Sequence, residues 1–90
     1  ERDINFIFNK KYFINEILLF ISKSGKKLLE DVALVDIYTD ESLGNDNISY
    51  TFRFTYRGQN ITLKDSDITE LHNSIIYNIE NKYSAKIRST

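Results

Sequence analysis

Ile48-Ser49-Tyr50-Thr51-Phe52-Arg53-Phe54-Thr55-Tyr56-Arg57 decides the fold. Tyr50, Phe52, Phe54 and Tyr56 alternate with Ser49, Thr51, Arg53, Thr55 and Arg57. Successive side chains of a strand point to opposite faces, so this period of two predicts a half-buried strand over about 48–57, its rings in a core and its hydroxyls and guanidiniums in water. Gly58 ends it. Upstream, Ser42 to Asn47 is rich in turn formers. Before that loop, Leu28 to Asp40 is a second β-rich stretch, strongest from Val32 to Thr39. Downstream, Ile68, Leu71, His72, Ile75, Ile76, Ile79 and Tyr83 follow helical spacing and predict a helix over about 65–83. Asp65, Ser66 and Asp67 supply capping chemistry at its start. At the N-terminal end, Ile4 to Phe8 predicts a strand over about 3–9. Phe13, Ile14, Ile17, Leu18 and Ile21 predict a helix over about 11–24, with Gly25 as a C′ residue and Lys23, Lys26 and Lys27 near the negative end of its dipole. A short strand over about 85–88 closes the chain. The order βαββαβ is satisfied most simply by one domain over residues 1–90: a ferredoxin-like α+β sandwich, a four-stranded antiparallel sheet with two helices on one face. That fold name implies no iron.

The composition agrees with one globular domain. The chain has 90 residues, 41% of them hydrophobic and 28% charged. It has no cysteine, which excludes disulfides, thiolate metal sites and cysteine nucleophiles, and one histidine, which excludes a multi-histidine metal site. No apolar run approaches the ~20 residues of a membrane span, and Glu1-Arg2-Asp3 does not open a signal peptide. There is no methionine, so residue 1 is not expected to be a translation start and the chain is expected to be a piece of a longer one. The formal net charge is -1. Proteins that grip nucleic acid mainly through phosphates carry a basic excess, so any such contact here should be small and base-directed.

Parity along the strands sorts the sheet into two faces. With Phe6, Val35, Ile37, Phe52 and Phe54 toward the helices, the open face carries Asn5, Ile7, Leu34, Asp36, Tyr38, Ser49, Thr51, Arg53, Thr55 and Arg57. A polar face with one aromatic ring, one carboxylate and several hydroxyls has the character of a platform for single-stranded nucleic acid. A bulge in the second strand would shift this register.

Arg2-Asp3-Ile4 opening the first strand, Leu28-Leu29-Glu30-Asp31-Val32-Ala33-Leu34-Val35-Asp36-Ile37-Tyr38, the Gly44 loop, Ser49 to Arg57, and Thr62-Leu63 before an acidic helix start occur in this order in one family. Over nearly its whole length the chain resembles the C-terminal anticodon-binding domain of the bacterial phenylalanyl-tRNA synthetase β subunit. Departures are Lys64 at the start of the second helix and Asn5, where many relatives carry a small residue. The resemblance implies a non-catalytic, cytoplasmic RNA-binding domain that meets the anticodon loop of tRNA-Phe. It implies as further partners the remainder of the β subunit and an α subunit, in an (αβ)2 heterotetramer without a membrane. It also implies that ATP and magnesium serve the α subunit and that this domain holds no cofactor. The positions matching the family's base contacts are Asn5, Asp36, Tyr38 and Ser49, all on the open face that parity delivers. A carboxylate at Asp36 can accept from the N1–H and N2–H2 edge of guanine, Tyr38 can stack on a base, Ser49 and Asn5 can hydrogen-bond a base or sugar, and Arg53 and Arg57 can meet phosphates.

Simpler readings stand beside these roles. Asp36 alone is a solvated strand carboxylate, Tyr38 a half-exposed sheet aromatic, and Ser49 a structural strand opener. Arg53 and Arg57 alone are the wet side of an amphipathic strand. Lys10-Lys11 and the Lys23, Lys26 and Lys27 cluster read as solubilising charges beside the helices, and His72, on an apolar stripe, as a packed histidine. The alternative function is a ferredoxin-like regulatory or protein-interaction domain that dimerises through its sheet, with Ile7 and Leu34 in the interface. An acylphosphatase-type enzyme shares the βαββαβ order, but Asn9-Lys10-Lys11-Tyr12 lacks the glycine and arginine of its phosphate-cradling loop.

Overall fold

The computed structural model describes residues 1–25, 27–57 and 65–88. Lys26, Gly58, Thr62, Leu63 and Lys64, on which a helix-end charge, a strand end and a helix start were expected, lie outside the described residues. The elements are β1 (Arg2–Asn9), α1 (Ile14–Ser24), β2 (Leu29–Tyr38), β3 (Asn47–Tyr56), α2 (Asp65–Tyr83) and β4 (Lys86–Ile87), with a 3-10 turn at Glu41–Leu43. The strands form one antiparallel sheet in the order β2-β3-β1-β4. The βαββαβ sandwich expected from the sequence is the observed fold.

Helix α1 begins later than its apolar spacing suggests. Asn9 takes the backbone instead: its side-chain Oδ1 accepts from the Lys11 N–H at 2.8 Å and its carbonyl from the Tyr12 N–H at 3.3 Å. That local turn competes with helix until Phe13, which is extended and gives α1 no side-chain cap. In α2, Asp65 and Asp67 lie inside the first turn, where their charge complements the helix dipole.

The core joins Phe6 and Phe8 of β1, Tyr50, Phe52 and Phe54 of β3, Ile17 and Ile21 of α1, and Ile75, Ile79 and Tyr83 of α2. Burying a side chain of this size stabilises by roughly 1.5–3 kcal/mol. The rings meet edge-on: Phe8 lies 5.7 Å from Tyr83 and 6.1 Å from Phe52, and Phe20 lies 5.5 Å from Tyr83.

Two expectations about β2 are corrected. Its pairing with β3 jumps between Leu29 and Asp31 and again between Leu34 and Asp36. The second bulge inserts Val35 as an extra residue. Leu34 therefore sits opposite Phe52 and packs against the core, not on the open face, while Val35 is 41% exposed. Ile37 sits opposite Tyr50, yet it is 56% exposed on the edge strand. After the bulge the parity is restored, so Asp36 and Tyr38 face the same way as Thr51 and Ser49.

Gly25 closes α1 for a reason other than a left-handed turn. Its φ is -79°, ordinary for any residue. A Cβ there would lie 2.2 Å from the Leu29 Cβ, because the chain returns at once into β2 and the Leu29 N–H bonds the Gly25 carbonyl. His72 packs edge-on against Phe54 and Tyr56, and its Nδ1 lies 2.6 Å from the Tyr56 hydroxyl. Burial lowers the His72 pKa to about 4 and raises that of Tyr56 to about 12.

Gly25→Ala is expected to cost at least about 1–3 kcal/mol in chemical denaturation, because the clash is with a buried neighbour rather than a flexible tip. The unfolded chain holds its His72 proton from about pH 6.5 downward, whereas the folded chain refuses it until about pH 4. Stability should therefore fall by roughly 2–3 kcal/mol as pH drops through that window. Denaturation curves at several pH values should show this slope flattened in His72→Gln.

Candidate nucleic-acid interface

The sheet face away from the helices is arranged in rows, because each strand pair is in register. One row runs Asp36 (β2), Thr51 (β3), Asn5 (β1), and Arg88 continues it where its N–H bonds the Asn5 carbonyl at 2.9 Å. The next runs Tyr38, Ser49, Ile7, Lys86. Asn5, Asp36, Tyr38 and Ser49 are thus brought together in two adjacent rows. Arg53 lies one row beyond, opposite Asp3 and Ala33. Arg57 is exposed just past the end of β3, roughly 25 Å along the strand direction from Ser49.

A hydrogen-bond chain runs across the floor of this face. The Ser49 hydroxyl donates to Asn5 Oδ1 at 2.6 Å, and Asn5 Nδ2 donates to Thr51 Oγ1 at 2.6 Å. The amide orientation of Asn5 is thereby fixed, and the Ser49 side chain is fully buried. Asp36 and Tyr38 are exposed beside this floor.

Arg53 is already engaged. Its Nε and an Nη donate to the two oxygens of Asp3 at 2.9 and 3.0 Å, with Glu1 4.0 Å from Nε. The hydrogen bonds that Arg53 donates to Asp3 lower the Asp3 pKa and raise the Arg53 pKa. The bidentate pair ties Arg53 of β3 to Asp3 of the neighbouring central strand β1.

A side chain of this face that the sequence reading missed is Arg88. Its guanidinium carbon lies 4.6 Å from the centre of the Tyr38 ring. Strands β4 and β2 are separated by β1 and β3, so the two side chains meet by reaching toward each other over the open face. The bridge spans the side of the sheet that carries Asn5 and the buried Ser49. An arginine at the end of a two-residue strand gives no periodicity signal. Only the strand order places it here.

The bridge separates two depressions on this face. One, of about 470 Å³, is lined by Asp3, Asn5, Asp36, Thr51, Ile87 and Arg88. The other, of about 320 Å³, is lined by Ile7, Asn9, Asn47 and Lys86 of the open face together with Lys11, Tyr12, and Tyr83 and Ser84 at the end of α2. Lys11 stands near the end of α2, as expected, and also borders the open face. Leu34, turned to the core, is absent from the face, which leaves Ile7 without the apolar neighbour that a sheet-face dimer was expected to use. Among the described residues there is no group of three histidine or acidic side chains that could hold a metal ion, and no helix is long and apolar enough to cross a membrane.

The profile of the ferredoxin-fold anticodon binding domain family matches residues 1–88. The chain is 59% identical over 88 residues to a phenylalanine–tRNA ligase β subunit of Prochlorococcus marinus subsp. pastoris, covering 98% of this chain and 11% of that protein. It is 57% identical to that of another Prochlorococcus marinus strain, covering 99% of this chain and 11% of the relative. With the Bacillus cereus β subunit the identity is 33%, over 97% of this chain and 11% of the relative. The chain thus spans about a tenth of the length of the curated relatives it matches.

If the bridge carries energy, Arg88→Ala and Tyr38→Leu should be coupled. A double-mutant cycle on unfolding free energy is expected to give a coupling of about 0.5–1 kcal/mol. A coupling near zero would mean that the contact is incidental.

Proposed function

The chain belongs to the ferredoxin-fold anticodon binding domain family, and from that membership we propose that it is the tRNA-reading piece of a phenylalanine–tRNA ligase β subunit, meeting the anticodon loop of tRNA-Phe on its open sheet face. The observation that carries this reading is the alignment of Asp36, Thr51 and Asn5 in one row beside Tyr38 and Ser49 in the next. A carboxylate, a ring and a fixed set of hydroxyl and amide groups then lie within the span of one nucleotide.

Asp36 is the specificity element. It accepts from N1–H and N2–H2 of guanine, a donor pair that no other standard base offers on its pairing edge, so the first anticodon base is a guanine. Tyr38 supplies a stacking surface, worth about 1–3 kcal/mol per base. The Asn5–Ser49–Thr51 chain keeps the floor rigid, and Asn5 and Ser49 reach a base or sugar only as the Tyr38–Arg88 bridge yields. Arg57 meets phosphate at the far end of β3. Arg53 does so only by sharing its guanidinium with Asp3.

The domain is a binding module, and the chemistry of the ligase lies elsewhere. Aminoacylation, with ATP and magnesium, falls to the α subunit. The remainder of the β subunit and the α subunit are the protein partners, in an (αβ)2 assembly in the cytoplasm. The near-neutral charge of this domain fits a reader of bases whose parent supplies most of the affinity.

An NMR titration of the labelled domain with the tRNA-Phe anticodon stem-loop is expected to shift Asn5, Asp36, Tyr38 and Ser49, and to do so less with a loop carrying adenine at the first anticodon position. Asp36→Asn should lose roughly 1–3 kcal/mol of the preference for guanine. A preference that survives this substitution removes the role given to Asp36.

A further inference from the structure

The depression on the far side of the Tyr38–Arg88 bridge is used by none of these roles, and its chemistry is of one kind. It is built from the last two rows of the open face: Ile7 opposite Lys86, and Asn9 opposite Asn47. Ser84, with φ 54° in the left-handed region, turns the chain out of α2 and sets Lys86 across from Ile7. Lys11 enters from the other side on the tight turn that Asn9 holds, its Nζ 5.2 Å from the centre of the Tyr12 ring. Both lysines are exposed, and none of the lining residues is acidic.

The asparagines have already spent groups within the protein. Asn9 Oδ1 accepts from the Lys11 N–H, and Asn47 Nδ2 donates to the Leu43 carbonyl at 2.7 Å. The walls offer a ligand two ammonium groups and the Asn9 amide nitrogen as donors, the Asn47 Oδ1 as an acceptor, and Tyr12, Tyr83 and Ser84 beside them, so the charge is all positive although one amide acceptor remains. The depression across the bridge is the opposite case, with Asp3 and Asp36 in its lining. In a chain of net charge -1, a two-lysine hollow without a carboxylate wall is a local departure. Its volume of about 320 Å³ is at the small end of ligand sites. Donors, positive charge and a ring are what an anionic phosphate joined to a sugar requires.

We infer that this hollow is a sugar–phosphate subsite, holding the RNA backbone one or two nucleotides away from the base read at Asp36. The inference rests on the open face being the RNA platform. The row of Asn5 and that of Asn9 are four residues apart along β1, roughly 13 Å, so a strand lying along β1 passes from one depression to the other. The two depressions then divide the work: carboxylate and hydroxyls select the base, and Lys11 and Lys86 hold the chain that carries it.

The test is binding of the domain to the guanine and adenine stem-loops across a salt series, for the unsubstituted protein, Lys11→Gln, Lys86→Gln, the double variant and Asp36→Asn. The subsite requires that the lysine variants weaken both loops by the same factor, keep the preference for guanine, and lower the salt slope by about 0.7 for each lysine removed. Unchanged affinity and slope in the double variant, with discrimination still lost in Asp36→Asn, would overturn the subsite and leave the base-reading face intact. No binding of either loop by the unsubstituted domain at millimolar RNA would remove both. A parallel titration with inorganic phosphate separates the sources of the anion. Shifts at Lys11 and Lys86 at the same concentration as with RNA would mean a site for free phosphate, against the proposal. Shifts only at far higher phosphate support it.

Discussion

Strand β3 is hydrogen-bonded on both sides, to β1 and to β2, and the two ladders together dictate what the open face can present. One ladder brings Asn5 beside Thr51 and diagonal to Ser49. The other brings Asp36 and Tyr38 into the same two rows. A one-residue slip of either ladder would turn an entire strand over and scatter these side chains between core and solvent. The aromatic core locks the register, because Phe52 and Phe54 are fully buried only when Thr51 and Arg53 face outward. Packing on one side of the sheet thus determines which polar groups the other side presents.

The alternation in β3 and the stripe of α2 were legible because both are long and periodic, and they yielded the order of elements along the chain, the core phenylalanines and the open face. The second bulge of β2 was not. Parity counting assumes one residue per rung, so it sent Leu34 outward and Val35 inward, the reverse of what the extra residue produces. Asp36 and Tyr38 escaped this error because both lie beyond the insertion. Arg88 was illegible for another reason. Its partner Tyr38 is remote in the chain, and their meeting depends on two edge strands leaning over the same pair of central ones. Gly25 was recognised as a helix end, but the cause is the close return of Leu29, which only a three-dimensional arrangement reveals.

Charge is handled differently at different places on this sheet. Asp3 and Arg53 neutralise one another in a bidentate pair, so the row nearest the start of β1 is electrostatically quiet. Asp36 and Arg88 face the same depression from opposite edges. Lys11 and Lys86 stand together with no acid among the lining of their hollow. On the helix side, burial and, more weakly, the charge of Arg2 keep His72 neutral down to about pH 4, and its ring is joined to the Tyr56 hydroxyl.

Among the described residues the sheet has two unpaired margins, and neither is a good template for another strand. At one, β4 is only two residues long. At the other, β2 breaks its own ladder twice and carries Glu30, Asp31 and Asp36 along an edge that would otherwise show the β-rich Val32 to Tyr38 segment. Irregular, short and acidic margins are how β proteins avoid growing edge to edge into aggregates. The bulge that keeps Asp36 and Tyr38 on the open face therefore also guards solubility. A substitution that regularised β2 would tidy the hydrogen-bond ladder and, by the same stroke, create a sticky strand on which other copies could begin to stack.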